Sequence, residues 1–235
     1  MPTIPRTIFP KFARALDYPD ELPASMLKEL ENELRSLCPD AAVAVSRFLE
    51  DVAQRSLGEL QEIHARTFDV APVCVPYVSV HLFGEESFKR AELMAGLCAA
   101  FERSNFDRGR ELPDHLCVIL RFAPNFSDEE WTDMVRHCLL GPIQVMVQAL
   151  KRTASPYSNL LCAIQSVLQK DFPKEVQSCS THSCSSVCPT YPLGYSSADQ
   201  FGDTDPTSSA TPPCHLSFLR TGGCCGDQSP GMQES

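Results

Sequence analysis

Two carboxylates and an imidazole lie close together in the segment Glu111-Leu-Pro-Asp-His115. Carboxylates can receive a cation of a partner, and an imidazole titrates near neutral pH, so these residue types suit a binding site. A helix start explains the same segment without a partner, because proline fits the first helical turn and an aspartate there interacts favourably with the helix dipole. From these residues alone, the helix start is the favoured interpretation.

Soft metal ligands gather in the C-terminal part of the chain, where half of the 12 cysteines lie. The tightest group consists of Cys179, His182, Cys184 and Cys188. Thiolate and imidazole suit zinc, but the spacing C-x2-H-x-C-x3-C matches no common zinc knuckle, and the surrounding serines offer no groups to orient the ligands. An oxidisable segment without a metal is the favoured interpretation, and a redox or metal sensor is the alternative.

The sequence patterns of common enzyme classes are absent from the chain. It contains no G-x-x-x-x-G-K-[ST], no G-x-G-x-x-G, no G-x-S-x-G and no H-E-x-x-H. His115 and Cys117 are two positions apart, and side chains at that separation do not face each other on a helix. They are therefore a poor nucleophile and base pair, and the sequence predicts a protein that is not an enzyme.

Charge and hydropathy narrow the function classes further. The formal net charge is −10, from 20 Lys and Arg against 30 Asp and Glu, and no basic run is present. Nucleic acid is therefore not an expected partner. No segment approaches the roughly 18 apolar residues that span a bilayer, and the proline-rich, charged N-terminus does not resemble a signal peptide. We expect a cytoplasmic protein without membrane insertion.

Composition divides the chain near Phe172. Residues 173–235 are rich in Ser, Thr, Pro, Gly and Cys and poor in large aliphatic residues, so we expect them to form a flexible tail. Before Phe172, apolar residues recur at helical spacing between clear start and stop signals, and no strand pattern is convincing. Residues 1–172 are therefore predicted to form a single-domain, all-α helical bundle.

Several helix boundaries are marked by particular residues. Ser56 with Glu59, and Ser127 with Glu130, form S-x-x-E capping boxes. Two prolines between positions 70 and 77 predict a loop, and Pro142 predicts a kink. The expected helices span about 8–16, 23–38, 42–52, 56–67, 85–104, 113–121, 127–139 and 158–169.

Four short motifs follow one another along this predicted bundle. Residues 16–20 read L-D-Y-P-D, residues 59–69 read E-L-Q-E-I-H-A-R-T-F-D, and residues 77–84 read Y-V-S-V-H-L-F-G. Residues 111–116 read E-L-P-D-H-L and match the signature E-x-P-D-H at every fixed position. In this order the motifs resemble those of the NarJ/TorD/DmsD family, the assembly chaperones of bacterial molybdoenzymes. The R-T-F-D and H-L-F-G segments are most similar to the nitrate reductase (NarJ) branch.

The resemblance implies a helical chaperone without catalytic activity. Such proteins bind the N-terminal leader of a molybdoenzyme catalytic subunit and hold the apo-subunit ready for insertion of bis-molybdopterin guanine dinucleotide. They also delay membrane assembly or export until the cofactor is loaded. The implied client is the nitrate reductase alpha subunit, and the alternative is another enzyme of the dimethyl sulfoxide reductase superfamily. No cofactor is expected to bind the chaperone stably, and a monomer or weak dimer is expected.

The residues of the last three motifs are the expected peptide-binding site. A leader that is basic at one end and apolar beyond suits a groove with carboxylates at one end and apolar pockets along it. His115 is expected to orient Asp114 or to contact the peptide, which would make binding depend on pH. The expected site residues are Asp69, Tyr77, Leu82, Phe83, Glu111, Pro113, Asp114 and His115.

Overall fold

The structure is a computed structural model that describes residues 3–70 and 72–173. Across these residues the chain is all-α and forms a helical bundle, which confirms the predicted fold class. The predicted tail from residue 174 onward lies outside the described residues. So do the weak metal-ligand candidates Cys179, His182, Cys184 and Cys188.

The helices of the described residues are numbered in chain order. They are α1 (Phe9–Leu16), α2 (Ala24–Leu37), α3 (Pro39–Ala53), α4 (Leu57–Phe68), α5 (Val78–Phe83), α6 (Phe88–Arg103), α7 (Leu116–Phe122), α8 (Asp128–Asp133), α9 (Leu140–Arg152) and α10 (Tyr157–Asp171). Single 3-10 turns lie at Arg6–Ile8 and Ala123–Asn125, and a π-helical stretch at Met134–Leu139 joins α8 to α9.

Apolar stripes at helical spacing explain how these helices pack. In α2, for example, Leu27, Leu30 and Leu34 recur every three or four residues and are fully buried. α3 packs against α2 and α10, α10 also packs against α9, and α1 packs against α7. Trp131 and Tyr157 are the largest of the fully buried side chains. One continuous hydrophobic core therefore connects α1 with α10.

Both predicted capping boxes are confirmed. The Ser56 hydroxyl accepts the backbone N–H of Glu59 at 3.3 Å, and the Ser127 hydroxyl accepts that of Glu130 at 3.1 Å. Each glutamate carboxylate in turn accepts the backbone N–H of its serine. These bonds pair N–H groups that have no partner inside the helix, and they fix where α4 and α8 begin.

Removing the second cap should destabilise the fold without affecting any site. Ser127→Ala is expected to lower the free energy of unfolding by about 1 kcal/mol, because the N–H of Glu130 loses its acceptor. Urea unfolding followed by circular dichroism measures this change. Ser46→Ala, inside α3, should leave the stability nearly unchanged. An equal loss in the two variants would contradict the role given to the cap.

Two helices of the structure, α5 and α9, lie outside the ranges expected from the sequence. α5 has only six residues, which is too short for a helical period to be recognised, and it follows a proline-rich segment. It ends at Gly84, whose φ of 80° lies in the region that favours glycine. The segment just before the long helix α6 is therefore itself helical.

The irregularity expected at Pro142 begins earlier in the chain. The stretch Met134–Leu139 is π-helical, and Pro142 lies inside α9 just after it. Proline has no N–H to donate, and its ring crowds the carbonyl four residues before it. A wider turn directly before the proline accommodates both effects.

Candidate functional site

Two of the sequence motifs are joined by backbone hydrogen bonds. The N–H of Val78 donates to the carbonyl of Asp114 at 3.0 Å, and the N–H of Leu116 donates to the carbonyl of Pro76 at 2.8 Å. These bonds form an isolated antiparallel bridge that pairs Tyr77 with His115. The two rings meet edge to face, with centroids 5.4 Å apart. The start of α5 and the turn before α7 therefore form one wall.

A cavity of about 280 Å³ opens beside this wall, and all four motifs contribute to it. Its apolar floor includes Phe68 at the end of α4, Met146 on α9 and Leu161 on α10. The contributions of the four motifs are Leu16, Asp17 and Tyr18, then His64, Phe68 and Asp69, then Tyr77, and finally Glu111, His115 and Leu116. Segments distant in sequence thus converge on one concave surface.

The mouth of this cavity, here named the first cavity, is acidic. The exposed side chains of Asp17, Asp69 and Glu111 line it, and no lysine or arginine lines it among the described residues. Burial raises the pKa of the Tyr77 hydroxyl, and the nearby carboxylates, Glu111 first, raise it further. The carboxylates at the mouth therefore act electrostatically on Tyr77, which forms part of the wall.

An exposed apolar residue follows each of these three carboxylates in the chain. They are Tyr18, Val70 and Leu112, with 47%, 69% and 41% of their surfaces exposed. Side chains of this kind are usually scattered singly over a protein surface. Here Tyr18 lines the cavity, and Val70 and Leu112 directly follow residues that line it, so exposed apolar residues adjoin its charges in the chain.

His64 is a site residue that was not expected from the sequence. Its Nε2–H donates to the carbonyl of Leu16 at 3.1 Å, and its Nδ1 lies 3.8 Å from Asp69 Oδ2. The ring packs edge to face against Tyr18 and Tyr157, at centroid distances of 5.5 and 5.6 Å. Burial lowers the pKa of His64, against the opposing effects of the Leu16 carbonyl and the Asp69 and Asp17 carboxylates.

The lowered pKa of His64 predicts a pH dependence of stability. Above about pH 6.5 the imidazole is neutral in the folded and unfolded states, so its contribution is fully present. Below about pH 6.5 the unfolded chain takes up the proton more readily, and stability falls. We expect His64→Gln to lose less stability than the wild type between about pH 6.5 and pH 5.

Urea unfolding at a series of pH values measures this difference. The exposed His137→Gln provides the control and should keep the wild-type dependence. If His64→Gln followed the wild-type curve across the same pH range, the buried imidazole would not be the group responsible.

His115 has a structural role in addition to lining the cavity. Its Nδ1 accepts the backbone N–H of Cys117 at 3.2 Å and so caps α7. The helix therefore begins at Leu116, three residues later than predicted. Because Nδ1 is an acceptor, the neutral ring carries its proton on Nε2, and burial lowers the pKa of His115. The hydrogen bond involves the backbone of Cys117 and not its thiol.

Asp114, the neighbour of His115, does not itself line the cavity. Its side chain is fully buried, accepts a hydrogen bond from the Ser79 hydroxyl, and places Oδ2 3.8 Å from Nε of Arg90. The same Arg90 nitrogen donates to the Ser79 hydroxyl at 2.9 Å. Within the described residues, Asp114 Oδ1 has no hydrogen-bond partner. This group joins α5 and α6 to the turn before α7.

The other expected site residues divide into two groups. Asp69, Tyr77, Glu111 and His115 line the cavity together. Leu82 and Phe83 are half-buried and pack against the hydrophobic core, and Pro113 is buried. Leu82, Phe83, Pro113 and Asp114 are not among the lining residues. Met146 and Leu161 were not expected there, because their sequence pattern shows only that they lie on buried helix faces.

Carboxylates at the mouth of an apolar cavity, built on helices, are features that suit a binding site. Residues 27–163 match the family described as nitrate reductase delta subunit. The chain therefore belongs to this family, the NarJ-type assembly chaperones of molybdoenzymes, and has a general role in nitrate reductase assembly. No match was found among curated proteins.

The matched region includes most of the cavity. It runs from α2 into α10 and contains His64, Asp69, Tyr77, Glu111 and His115, whereas Asp17 and Tyr18 precede it. Within residues 3–70 and 72–173, no helix is both long enough and apolar enough to cross a membrane.

Proposed function

We propose that this chain binds the N-terminal leader of a nitrate reductase catalytic subunit in the first cavity. It then holds the apo-subunit in the cytoplasm until bis-molybdopterin guanine dinucleotide has been inserted. The observation that carries this proposal is the set of three carboxylates around an apolar floor, with no cation among the described lining residues. Family membership supports the choice of client class.

The cavity suits a long cationic side chain. An arginine or lysine stem can lie along Phe68, Met146 and Leu161, while its charged end meets the carboxylates at the mouth. A volume of about 280 Å³ is just below the usual range of small-molecule sites, so one or two side chains would fill it. The rest of the peptide would then lie over the rim.

The rim explains why an apolar continuation of the peptide would bind. Tyr18 lines the cavity, and Val70 and Leu112 directly follow two of its carboxylates in the chain. All three are exposed, so covering them removes apolar surface from water. A leader that is basic at one end and apolar beyond meets both kinds of surface at once. Carboxylates at the mouth would speed association and select the cationic end, while the apolar contacts would slow dissociation.

The same charges argue against binding of the cofactor by the chaperone itself. Bis-molybdopterin guanine dinucleotide carries phosphates, and an acidic mouth repels them. The chaperone would therefore hold the client and leave the cofactor to the client's own site. A single chain contains the whole cavity, so leader binding requires no dimer.

Calorimetric titration of the full chain with a synthetic leader peptide tests the proposal. The peptide should carry the N-terminus of the nitrate reductase catalytic subunit of the same organism. We expect micromolar or tighter binding that weakens about fivefold in Glu111→Gln and also weakens as salt is added. The matched control is Glu102→Gln on α6, which does not line this cavity and should bind like the wild type.

The titration has two outcomes that would overturn the proposal. One is the absence of binding by a chain that is shown to be folded. The other is binding of unchanged strength when the arginines and lysines of the leader are replaced by glutamine, because the acidic mouth would then have no role.

A further inference from the structure

We infer that the bound leader also occupies a second subsite on the far side of Tyr18, and that this subsite takes an apolar side chain about one helical turn from the cation in the first cavity. This inference rests on the proposed function and extends it along the surface. It assigns a role to residues 19–23, the part of the connection between α1 and α2 that the proposed function leaves unused.

A second cavity of about 360 Å³ lies next to the first. The connection between α1 and α2 forms most of it, and Leu60 of α4 contributes from behind. Asp17 and Tyr18 line both cavities, so they form the partition between them. A peptide that crosses Tyr18 therefore passes directly from one cavity to the other.

The partition is fixed in place by α4. The side-chain N–H of Gln61 donates to the carbonyl of Pro19 at 2.9 Å, and that of His64 donates to the carbonyl of Leu16 at 3.1 Å. These two bonds attach the chain on both sides of Tyr18, whose ring also packs edge to face on His64. The second cavity is thus formed before any ligand arrives, which lowers the entropy cost of binding.

The helix behind both cavities sets the distance between them. Leu60 faces the second cavity and His64 faces the first, and these residues are four positions apart on α4. Side chains at that separation lie on the same face with Cβ atoms roughly 6 Å apart. A helical leader alongside α4 has the same spacing between its own residues i and i+4. One turn of the leader would therefore place a side chain in each cavity.

The lining of the second cavity favours an apolar side chain with basic residues near it. Leu22 is 46% exposed there, and the partly buried Met26 adds a second apolar contact. Asp20 and Glu21 contribute carboxylates, and the one lysine or arginine among the described lining residues, Arg14, is paired with Glu21. The negative electrostatic potential at the first cavity therefore extends into the second.

Changing Leu22 tests the subsite in the full chain. With the labelled leader peptide of the nitrate reductase catalytic subunit as the probe, Leu22→Lys should weaken binding about tenfold, because it removes an apolar contact and neutralises nearby carboxylates. Val43→Lys is the matched control, since Val43 is 52% exposed on α3 and lines neither of these two cavities. This control should bind like the wild type.

An alanine scan of the leader completes the test. In the wild-type chain, one apolar leader residue about a turn from the required cation should be sensitive to alanine, and in Leu22→Lys the same change should have little further effect. If Leu22→Lys binds as tightly as the wild type while Glu111→Gln weakens binding, the second subsite is wrong and the proposed function stands. If the folded wild type does not bind the leader, the second subsite and the proposed function are both wrong.

Discussion

Replacing both Asp69 and Glu111 by lysine should weaken leader binding about a hundredfold. The substitutions turn a mouth with three carboxylates into one with two cations and a single carboxylate, Asp17. An arginine or lysine of the leader would then meet like charges in a partly enclosed site, where salt screens them less than on an open surface. Titration calorimetry at low and at physiological salt measures the loss.

A control with the same change in net charge separates the site from the overall field. Glu50→Lys with Glu102→Lys alters exposed residues on α3 and α6 that line neither of the two cavities. This pair should reduce affinity only slightly, through long-range charge. An equal loss in the two double variants, with both proteins folded, would show that the mouth has no special part in binding.

Removing Arg90 should cost about 3 kcal/mol of folding stability. Asp114 would remain fully buried with no cation beside it, and the Ser79 hydroxyl would lose the donor that now orients it. Arg90→Leu is the informative change, because it deletes the charge and keeps an apolar stem. Urea unfolding of the full chain measures the effect.

A second substitution shows whether the buried charge is the cause. Adding Asp114→Asn to Arg90→Leu removes the uncompensated charge, so the double variant should be more stable than Arg90→Leu alone. If the two losses simply add, the buried pair is not energetically coupled. The same experiment tests our interpretation of Asp114 as a residue that positions the wall rather than one that contacts the leader.

Local patterns allowed most of the helices to be predicted. The capping boxes at Ser56 and Ser127 depend on residues three positions apart, so the sequence alone contains the whole signal. α5 was missed because six residues cannot show a helical period. The start of α7 was misplaced because Pro113 and Asp114 resemble a first helical turn, whereas His115 is the residue that caps it.

The site could be predicted only in part. Glu111 and Asp114 are three positions apart in one motif, yet the first lines the cavity and the second is buried against Ser79. The direction in which the chain turns before α7 decides between them, and residue type does not reveal it. Met146 and Leu161 reach the floor through tertiary packing of α9 and α10, and their helical spacing indicates only a buried face.

Asp17 and Tyr18 show a different limit on predicting the site from the sequence. They belong to the motif L-D-Y-P-D, which by itself predicts only the end of the first helix. Their place at two cavities follows from hydrogen bonds between this segment and α4, which join residues far apart in sequence. Nothing in the local sequence predicts such contacts.

The most direct test of the central claim is a methyl NMR spectrum of the full chain with and without the leader peptide. If the leader binds in the first cavity, the methyl signals of Met146 and Leu161 should shift as the peptide is added. The methyl signals of Val43 on α3, which lines neither of the two cavities, should stay in place. Binding that leaves Met146 and Leu161 unchanged would contradict the account and place the leader elsewhere on the protein.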